Sequence, residues 1–270
     1  MRGGDRYFRA DGVRLRYRDQ GEGPGVVLVH AWTLDLEVWD AQAAELSRTL
    51  RVVRLDRRGF GLSEGRPDPE AEPADLAALL DHLRLPAAAF VGMSQGARAV
   101  IGLALQAPQR VAGLVLDGLP GDVAGIAAGN GDYSLDEFRR LARNGGLEAF
   151  REAWRRHPLA RLHGDDREAA RRLERMLSRY PGRELLGPAP PAPAAPDPDG
   201  LARLSMPVLV INGELDLESR RLAGERLCAL LPHAQRVLLA GAGHLAALDR
   251  PAAYTATLQS FLQRLSRAAA

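Results

Sequence analysis

Short runs of consecutive apolar residues recur along the chain, separated by stretches with helical periodicity. A strand that is buried on both faces of a parallel sheet has no polar side, so it appears in the sequence as an unbroken apolar run. Strands that alternate with helices through short loops indicate a parallel sheet with right-handed crossovers. The predicted strands are 26–29, 88–91, 111–116 and 207–211, which are free of charged residues, and 52–55 and 236–239, which each include one arginine. The sequence therefore predicts an α/β protein with a mostly parallel, doubly wound sheet.

An N-terminal hairpin and five helices complete the predicted core. Residues 7–10 and 13–18 alternate between apolar and polar positions around Asp11-Gly12, a dipeptide that favours a tight turn. The helices are predicted at 38–50, at 74–83, from the residue after Ser94 to Leu105, at 220–231 and at 251–267.

The pattern changes in the middle of the chain, where residues 122–200 contain no clear buried strand. Amphipathic helices are predicted there at 135–142, 147–156 and 167–180, followed by a proline-rich connector at 187–196. A helical insertion between strands of a parallel sheet indicates a cap over the carboxyl edge of that sheet. We therefore predict a core made of residues 1–120 and 201–270, with a cap, or lid, at 121–200.

One predicted strand runs into the pattern Gly-x-Ser-x-Gly, written here as Gly92-Met93-Ser94-Gln95-Gly96. Between a strand and a helix, this pattern is typical of a nucleophile elbow, a turn so tight that the serine adopts a strained backbone. Glycines on either side leave room for such a turn. An ordinary glycine-rich turn produces the same letters, so the surrounding residues must decide between the two interpretations.

Other polar residues follow predicted strands, namely His30, Asp216 and His244. Because open parallel sheets bind ligands outside the carboxyl ends of their strands, we expect these side chains to lie near Ser94. A serine hydroxyl needs a base to take its proton, and a histidine base needs an acid to hold its tautomer. His244 and Asp216 supply these groups, and Asp117, which also ends a strand, is the alternative acid.

Five separated motifs occur in the chain, in the order His30-Ala31-Trp32, residues 56–63, the Gly92 to Gly96 pattern, Gly213-Glu214-Leu215-Asp216 and Gly243-His244. This set and its order resemble the α/β-hydrolase superfamily, specifically its capped esterase and lactonase branch. Within that branch the chain is similar to enol-lactonases of the 3-oxoadipate type and to cofactor-free haloperoxidase/esterases.

The resemblance implies a role for each matching residue. Ser94 matches the nucleophile, Asp216 the triad acid and His244 the base. The backbone N–H groups of Trp32 and Gln95 match the oxyanion hole, which stabilises the negative oxygen of the tetrahedral intermediate. These roles imply a serine hydrolase that forms an acyl-enzyme.

The expected substrate is a small carboxylic ester or lactone. Phe138, Leu141 and Trp154 recur at helical spacing in the cap and are the predicted substrate-binding residues, although packing within the cap produces the same spacing. Two further functions stay open at this point. One is a perhydrolase, like the haloperoxidases, that transfers the acyl group to peroxide, and the other is a ligand-binding receptor that retains the hydrolase fold.

Composition narrows the remaining classes of function. The 270 residues carry a formal net charge of +2, and every basic side chain is arginine, interleaved with carboxylates, so no nucleic-acid partner is predicted. No cluster has metal-ligand spacing and no phosphate or dinucleotide loop is present, so neither metal nor cofactor is expected.

The single cysteine, Cys228, is expected to be a buried apolar residue. The sequence lacks a signal or membrane-spanning run, which predicts a cytoplasmic protein, and it predicts no particular oligomeric state.

Overall fold

The computed structural model describes residues 4–125, 132–189 and 195–268, which form an eight-stranded sheet with helices on both faces. The strands are β1 (Arg6–Ala10), β2 (Val13–Gln20), β3 (Gly25–Val29), β4 (Arg51–Leu55), β5 (Ala88–Met93), β6 (Val111–Asp117), β7 (Val208–Gly213) and β8 (Ala234–Leu239). Their order is β1-β2-β4-β3-β5-β6-β7-β8. Strands β3 to β8 run parallel, and only the β1–β2 and β2–β4 pairs are antiparallel. The predicted fold class is confirmed.

Two hydrophobic clusters cover opposite faces of this sheet, because alternate residues of a strand point to opposite sides. In β3, Val26 and Leu28 belong to one cluster, whereas Val27 and Val29 belong to the other. The helices are α1 (Asp40–Leu46), α2 (Glu72–His82), α3 (Gln95–Gln106), α4 (Leu135–Arg155), α5 (Arg167–Arg179), α6 (Arg183–Leu186), α7 (Pro198–Ala202), α8 (Glu218–Leu230), α9 (Ala246–Asp249) and α10 (Pro251–Ala268). Helices α1 and α10 pack in the first cluster, and α2, α3 and α8 in the second.

Several helices differ from the predicted ones. The two helices predicted at 135–142 and 147–156 are the halves of α4, whose backbone is non-helical only at Gly146, with φ of 77°. The helix predicted at 38–50 begins as a 3₁₀ turn and ends at Leu46. The short helices α6, α7 and α9 were not predicted, because four or five residues show too little periodicity to be recognised.

Helices α4, α5 and α6 lie above the carboxyl edge of the sheet and share its first hydrophobic cluster. Phe150 and Trp154 of α4 are buried members of that cluster. The indole N–H of Trp154 donates a hydrogen bond to Oγ1 of Thr33 at 3.0 Å, and Arg179 at the end of α5 pairs with Asp35 at 2.7 Å. Apolar packing and buried polar contacts together hold these helices over the loops that follow β3.

The division into a core, 1–120 and 201–270, and a cap, 121–200, stays a prediction. Residues 190–194 of the proline-rich connector lie outside the described residues. Among the described helices, none combines the length and the apolar character needed to cross a bilayer.

Candidate active site

Ser94 lies at the sharp turn between β5 and α3. Its φ of 52° and ψ of −116° place a non-glycine residue in a sparsely populated backbone region, which costs on the order of 1–3 kcal/mol. The turn is held by the backbone N–H of Ser94, which donates to the carbonyl oxygen of Asp117 at 2.7 Å. The strained turn that the Gly-x-Ser-x-Gly pattern predicts is therefore present at this serine.

Two glycines make room for the turn. A Cβ atom on Gly96 would lie 2.5 Å from the carbonyl oxygen of Val29 and 2.6 Å from that of His30, because the first turn of α3 presses against the end of β3. A Cβ atom on Gly92 would lie 2.6 Å from Cα of Ala97. These distances are too short for any side chain, so the close approach explains why glycine stands at both positions.

His244 and Asp216 form a buried hydrogen-bonded pair at the ends of neighbouring loops. Nδ1 of His244 lies 3.0 Å from Oδ2 and 3.2 Å from Oδ1 of Asp216. Because an ionised carboxylate only accepts hydrogen bonds, Nδ1 carries the proton and Nε2 is left free to accept one. The loops meet because Gly213 has no side chain, and a Cβ atom there would lie 2.1 Å from the carbonyl oxygen of Gly243.

Asp117, the alternative acid, occupies a different environment. Its carboxyl is fully buried, faces the hydroxyl of Tyr254 and makes no well-formed hydrogen bond to a described residue. Burial, together with the charge of Asp216, raises the pKa of Asp117 well above its ordinary value and favours the protonated form. The structure therefore brings Asp216, and not Asp117, into contact with His244.

The predicted oxyanion-hole donors are unpaired in the structure. Gln95 opens α3, where the first backbone N–H groups have no acceptor inside the helix. Within the described part of the chain, neither the backbone N–H of Gln95 nor that of Trp32 donates a hydrogen bond. Both residues line the groove in which Ser94 lies.

His30 is fully buried beneath this site and fixes the loop that contains Arg57. Its Nδ1–H donates to the carbonyl oxygen of Ala31 at 2.8 Å, and its Nε2 accepts from the backbone N–H of Arg57 at 3.0 Å. Burial, reinforced by the positive charge of Arg57, lowers the pKa of His30 to about 3. His30 is therefore a neutral, bracing residue at physiological pH.

Replacing His30 with glutamine should reduce the loss in the free energy of unfolding that occurs as the pH falls. A folded-state pKa of about 3, below the ordinary 6.5, means that only the unfolded chain binds the proton between these pH values. The contribution of His30 is complete above pH 6.5 and declines toward pH 3, by on the order of 4 kcal/mol. Urea unfolding between pH 7 and pH 4 measures this slope, and the exposed His233→Gln variant is the control. Parallel slopes for H30Q and the wild type would contradict the assignment.

Ser94 lies between a small cavity and a wide groove. The cavity has a volume of about 20 Å³, room for roughly one water molecule, and it is also lined by His244, Trp32, Tyr133 and Trp154. The groove has a volume of about 490 Å³ and shares Ser94, Trp32 and Tyr133 with the cavity. The space around the serine is therefore narrow on one side and open on the other.

The residues predicted to bind substrate fall in different places. Trp154 lines the small cavity with Ser94. Phe138 packs edge-on against Trp154, with ring centroids 5.5 Å apart, and also contacts Trp32. Leu141 lines neither the cavity nor the groove.

Two residues near the serine were not singled out from the sequence. Tyr133 stacks on the indole of Trp32, with ring centroids 4.6 Å apart and an interplanar angle of 17°. Glu184 is buried and accepts hydrogen bonds from the indole N–H of Trp32 and the hydroxyl of Tyr180. Both lie more than a hundred positions from Trp32, so no local pattern in the sequence could have revealed them.

Asp249 connects the His244 loop to the segment above the sheet. Its Oδ2 accepts from the backbone N–H of Gly243 at 2.7 Å. Its Oδ1 accepts from the backbone N–H groups of His163 at 2.6 Å and Gly164 at 3.1 Å. One buried carboxylate thus satisfies three backbone donors from two parts of the chain.

Replacing Gly118 with alanine should disturb the His244–Asp216 pair. Gly118 has φ of 56°, and a Cβ atom there would lie 2.8 Å from Cε1 and 2.9 Å from Nδ1 of His244. A displaced ring should lower kcat/KM by about 10²-fold, the usual effect of a 1 Å misplacement. The free energy of unfolding should also fall by about 1 kcal/mol, because alanine disfavours positive φ.

Gly12→Ala is the matched control, because Gly12 has φ of 74° and nothing within 4 Å of its Cβ position. It should lose the same stability while retaining full activity. Equal activity of the two alanine variants would show that the position of the His244 ring does not affect catalysis.

The described residues contain no group of three or more His, Cys, Asp or Glu side chains arranged to hold a metal ion. Cys228 is half-buried on α8, and burial raises the pKa of its thiol above the ordinary value.

A sequence model of the alpha/beta hydrolase fold matches residues 24–251, which include every residue placed at the site above. The chain belongs to the α/β-hydrolase family. This membership confirms the resemblance drawn from the five motifs.

Relatives within the α/β-hydrolase family include lactonases, esterases and haloperoxidases. The 3-oxoadipate enol-lactonase 2 of Acinetobacter baylyi is 27% identical over 95% of this chain and 96% of its own length. A non-heme chloroperoxidase of Streptomyces lividans is 30% identical over 77% of this chain and 80% of its own. The solved structure of a thermophilic esterase from Thermogutta terrifontis has a TM-score of 0.82 and 27% identity, covering 97% of this chain and 99% of that one. The chain is thus an enzyme of the α/β-hydrolase family with esterase and lactonase homologues.

Proposed function

We propose that this α/β-hydrolase cleaves a small carboxylic ester or lactone through an acyl-enzyme on Ser94. The observation that carries the proposal is the buried hydrogen-bonded pair of His244 and Asp216, whose imidazole lines the same cavity as the strained Ser94. A nucleophile, a base and an acid that holds the base is the arrangement that activates a serine hydroxyl. The esterase and lactonase relatives support the same class of reaction.

In the proposed first half-reaction, Oγ of Ser94 attacks the carbonyl carbon while Nε2 of His244 takes its proton. The carboxylate of Asp216 stabilises the imidazolium ion. The backbone N–H groups of Trp32 and Gln95 hold the oxyanion, and one such donor typically contributes about 10²–10³ in rate. Collapse of the tetrahedral intermediate transfers the proton from His244 to the leaving alcohol and leaves the acyl group on Ser94.

The second half-reaction repeats these roles with water. His244 takes a proton from water, which attacks the acyl carbon and forms a second oxyanion in the same hole. Collapse then returns the proton to Ser94 and releases the carboxylic acid. A lactone follows the same path, except that its alcohol and acid leave as one molecule.

The shape of the space around Ser94 supports a substrate that is small on one side. The cavity of about 20 Å³ takes only a small group, whereas the groove of about 490 Å³ takes a larger one. Trp154 is the proposed substrate contact from the cap, and Phe138 supports its ring. The prediction for Leu141 rests on helical spacing alone.

A matched panel of esters tests the proposal. Methyl octanoate and octyl acetate are each small on one side of the ester, octyl octanoate is large on both sides, and γ-butyrolactone and an enol-lactone represent cyclic substrates. We expect turnover of at least one ester or lactone that is small on one side and little turnover of octyl octanoate. Absence of hydrolysis across the panel would contradict the proposal.

Transfer of the acyl group to hydrogen peroxide is the second candidate, favoured by the chloroperoxidase relative. It uses the same acyl-enzyme on Ser94, so adding peroxide to an acetate ester should yield a peracid that oxidises bromide. Stoichiometric labelling of Ser94 by a fluorophosphonate without turnover of any ester would instead favour the ligand-binding receptor. The cytoplasmic location stays a prediction of the sequence.

A further inference from the structure

We propose that Tyr133 is a further catalytic residue, whose hydroxyl donates a third hydrogen bond to the substrate oxygen in the oxyanion hole. This inference rests on the proposed function of Ser94. Tyr133 precedes α4 and belongs to the segment above the sheet, whereas the other two proposed donors are the backbone N–H groups of Trp32, in the loop after β3, and of Gln95, at the start of α3. The tyrosine would add a side-chain donor to these two backbone donors.

The side chain of Tyr133 contacts the side chains of both residues whose backbone N–H groups form the proposed oxyanion hole. Its ring stacks on the indole of Trp32, with centroids 4.6 Å apart. Its hydroxyl oxygen lies 3.0 Å from Nε2 of Gln95. The same side chain lines the small cavity with Ser94 and His244 and also the wide groove.

A chain of hydrogen bonds fixes the direction in which Tyr133 donates. Buried Glu72 pairs with Arg57 at 2.7 Å, and Nη2 of Arg57 also donates to Oε1 of Gln95 at 3.3 Å. Because a guanidinium group only donates, the amide oxygen of Gln95 must face Arg57, and its N–H must face Tyr133. The phenol oxygen therefore accepts from Gln95, and the phenol proton is left to point elsewhere.

Within 4–125, 132–189 and 195–268, the hydroxyl of Tyr133 donates no hydrogen bond. A buried hydroxyl gains from an acceptor, and a carbonyl oxygen bound at Ser94 supplies one as its negative charge develops. Burial outweighs the nearby arginine charges and raises the pKa of Tyr133 above its ordinary value, so the phenol stays a donor across the working pH range of a histidine base.

Replacing Tyr133 with phenylalanine tests the donor, because it removes the hydroxyl and keeps the ring that stacks on Trp32. We expect kcat to fall by about 10²-fold, as for loss of one oxyanion donor, with KM changed much less. The second-order rate at which a fluorophosphonate labels Ser94 should fall in parallel. Tyr17→Phe is the matched control, since that buried hydroxyl bonds His82 at 3.0 Å and lies outside the cavity and groove. This control should retain wild-type kinetics.

A series of acetate esters with alcohols of increasing pKa locates the oxygen that Tyr133 contacts. A donor to the oxyanion should produce the same loss in Y133F for every alcohol. A loss that grows with the basicity of the alcohol would overturn the assignment to the oxyanion, and so would a kcat of Y133F within about twofold of the wild type.

The activity of the Ser94→Ala variant tests the proposed function independently of the role of Tyr133. A fully active S94A enzyme overturns the acyl-enzyme mechanism. A wild-type kcat in Y133F, together with loss of activity in S94A, overturns only the role of Tyr133. A tyrosine that is merely structural would change the free energy of unfolding without changing kcat.

Discussion

Replacing Ser94 with alanine is expected to lower kcat by about 10⁶-fold, the loss seen when the nucleophile of a comparable triad is removed. The fall should be this large because the variant can form no acyl-enzyme, and His244 and Asp216 then have no hydroxyl to activate. Folding should be retained, since Ser94 holds its turn through a backbone N–H that alanine also has. Steady-state hydrolysis of p-nitrophenyl acetate, with thermal unfolding of the same preparations, measures both quantities.

The control for this substitution is Ser178→Ala, an exposed serine on α5 whose hydroxyl donates to the local carbonyl oxygen of Arg175 at 2.9 Å. S178A should retain full activity and full labelling by a fluorophosphonate, whereas S94A should lose both. Near-wild-type turnover by S94A would exclude a serine nucleophile at this position.

Replacing Asp216 with asparagine is expected to lower kcat by about 10⁴-fold, as the corresponding change does in another serine triad. An amide in place of the carboxylate can present an N–H to Nδ1 of His244, which favours the wrong tautomer and removes the charge that stabilises the imidazolium ion. Asp117→Asn should change kcat far less. The carboxyl of Asp117 does not contact His244, and its pKa is raised, so a neutral amide resembles the form that burial favours.

Asparagine has nearly the same shape as aspartate, so neither substitution opens a cavity. Comparing the two variants therefore shows which of the two carboxylates serves as the acid. Steady-state hydrolysis of p-nitrophenyl acetate by both variants measures the two losses in kcat. A larger loss in D117N than in D216N would transfer the role of the acid to Asp117.

The fold could be predicted largely because most of its core strands are apolar runs and its larger helices are periodic. Prediction failed where an element is too short to show a period, as in α6 and α9, or where one residue decides continuity. The sequence predicts separate helices at 135–142 and 147–156, whereas the structure shows one helix, α4, with a local break at Gly146. Tertiary packing decides whether the helix ends or continues at such a residue, and the local sequence does not reveal that packing.

The candidate site could be predicted to the extent that its residues follow strand ends. Ser94, Asp216 and His244 were found because the topology of a parallel sheet places such positions at one edge. Tyr133 was not found, because its contacts are with Trp32 and Gln95 from another part of the chain. Helical spacing likewise could not distinguish Trp154, which lines the cavity, from Leu141, which does not.

The hydrogen bonds of the Asp249 carboxylate affect any attempt to exchange segments between this chain and its relatives. It holds the backbone of Gly243, next to His244, with one oxygen and the backbone of His163 and Gly164 with the other. Replacing the segment around residues 163–164 would leave one oxygen of this carboxylate without its backbone donors. Exchange of that segment among relatives is therefore expected to disturb the loop that carries His244, although the two lie about eighty positions apart in the sequence.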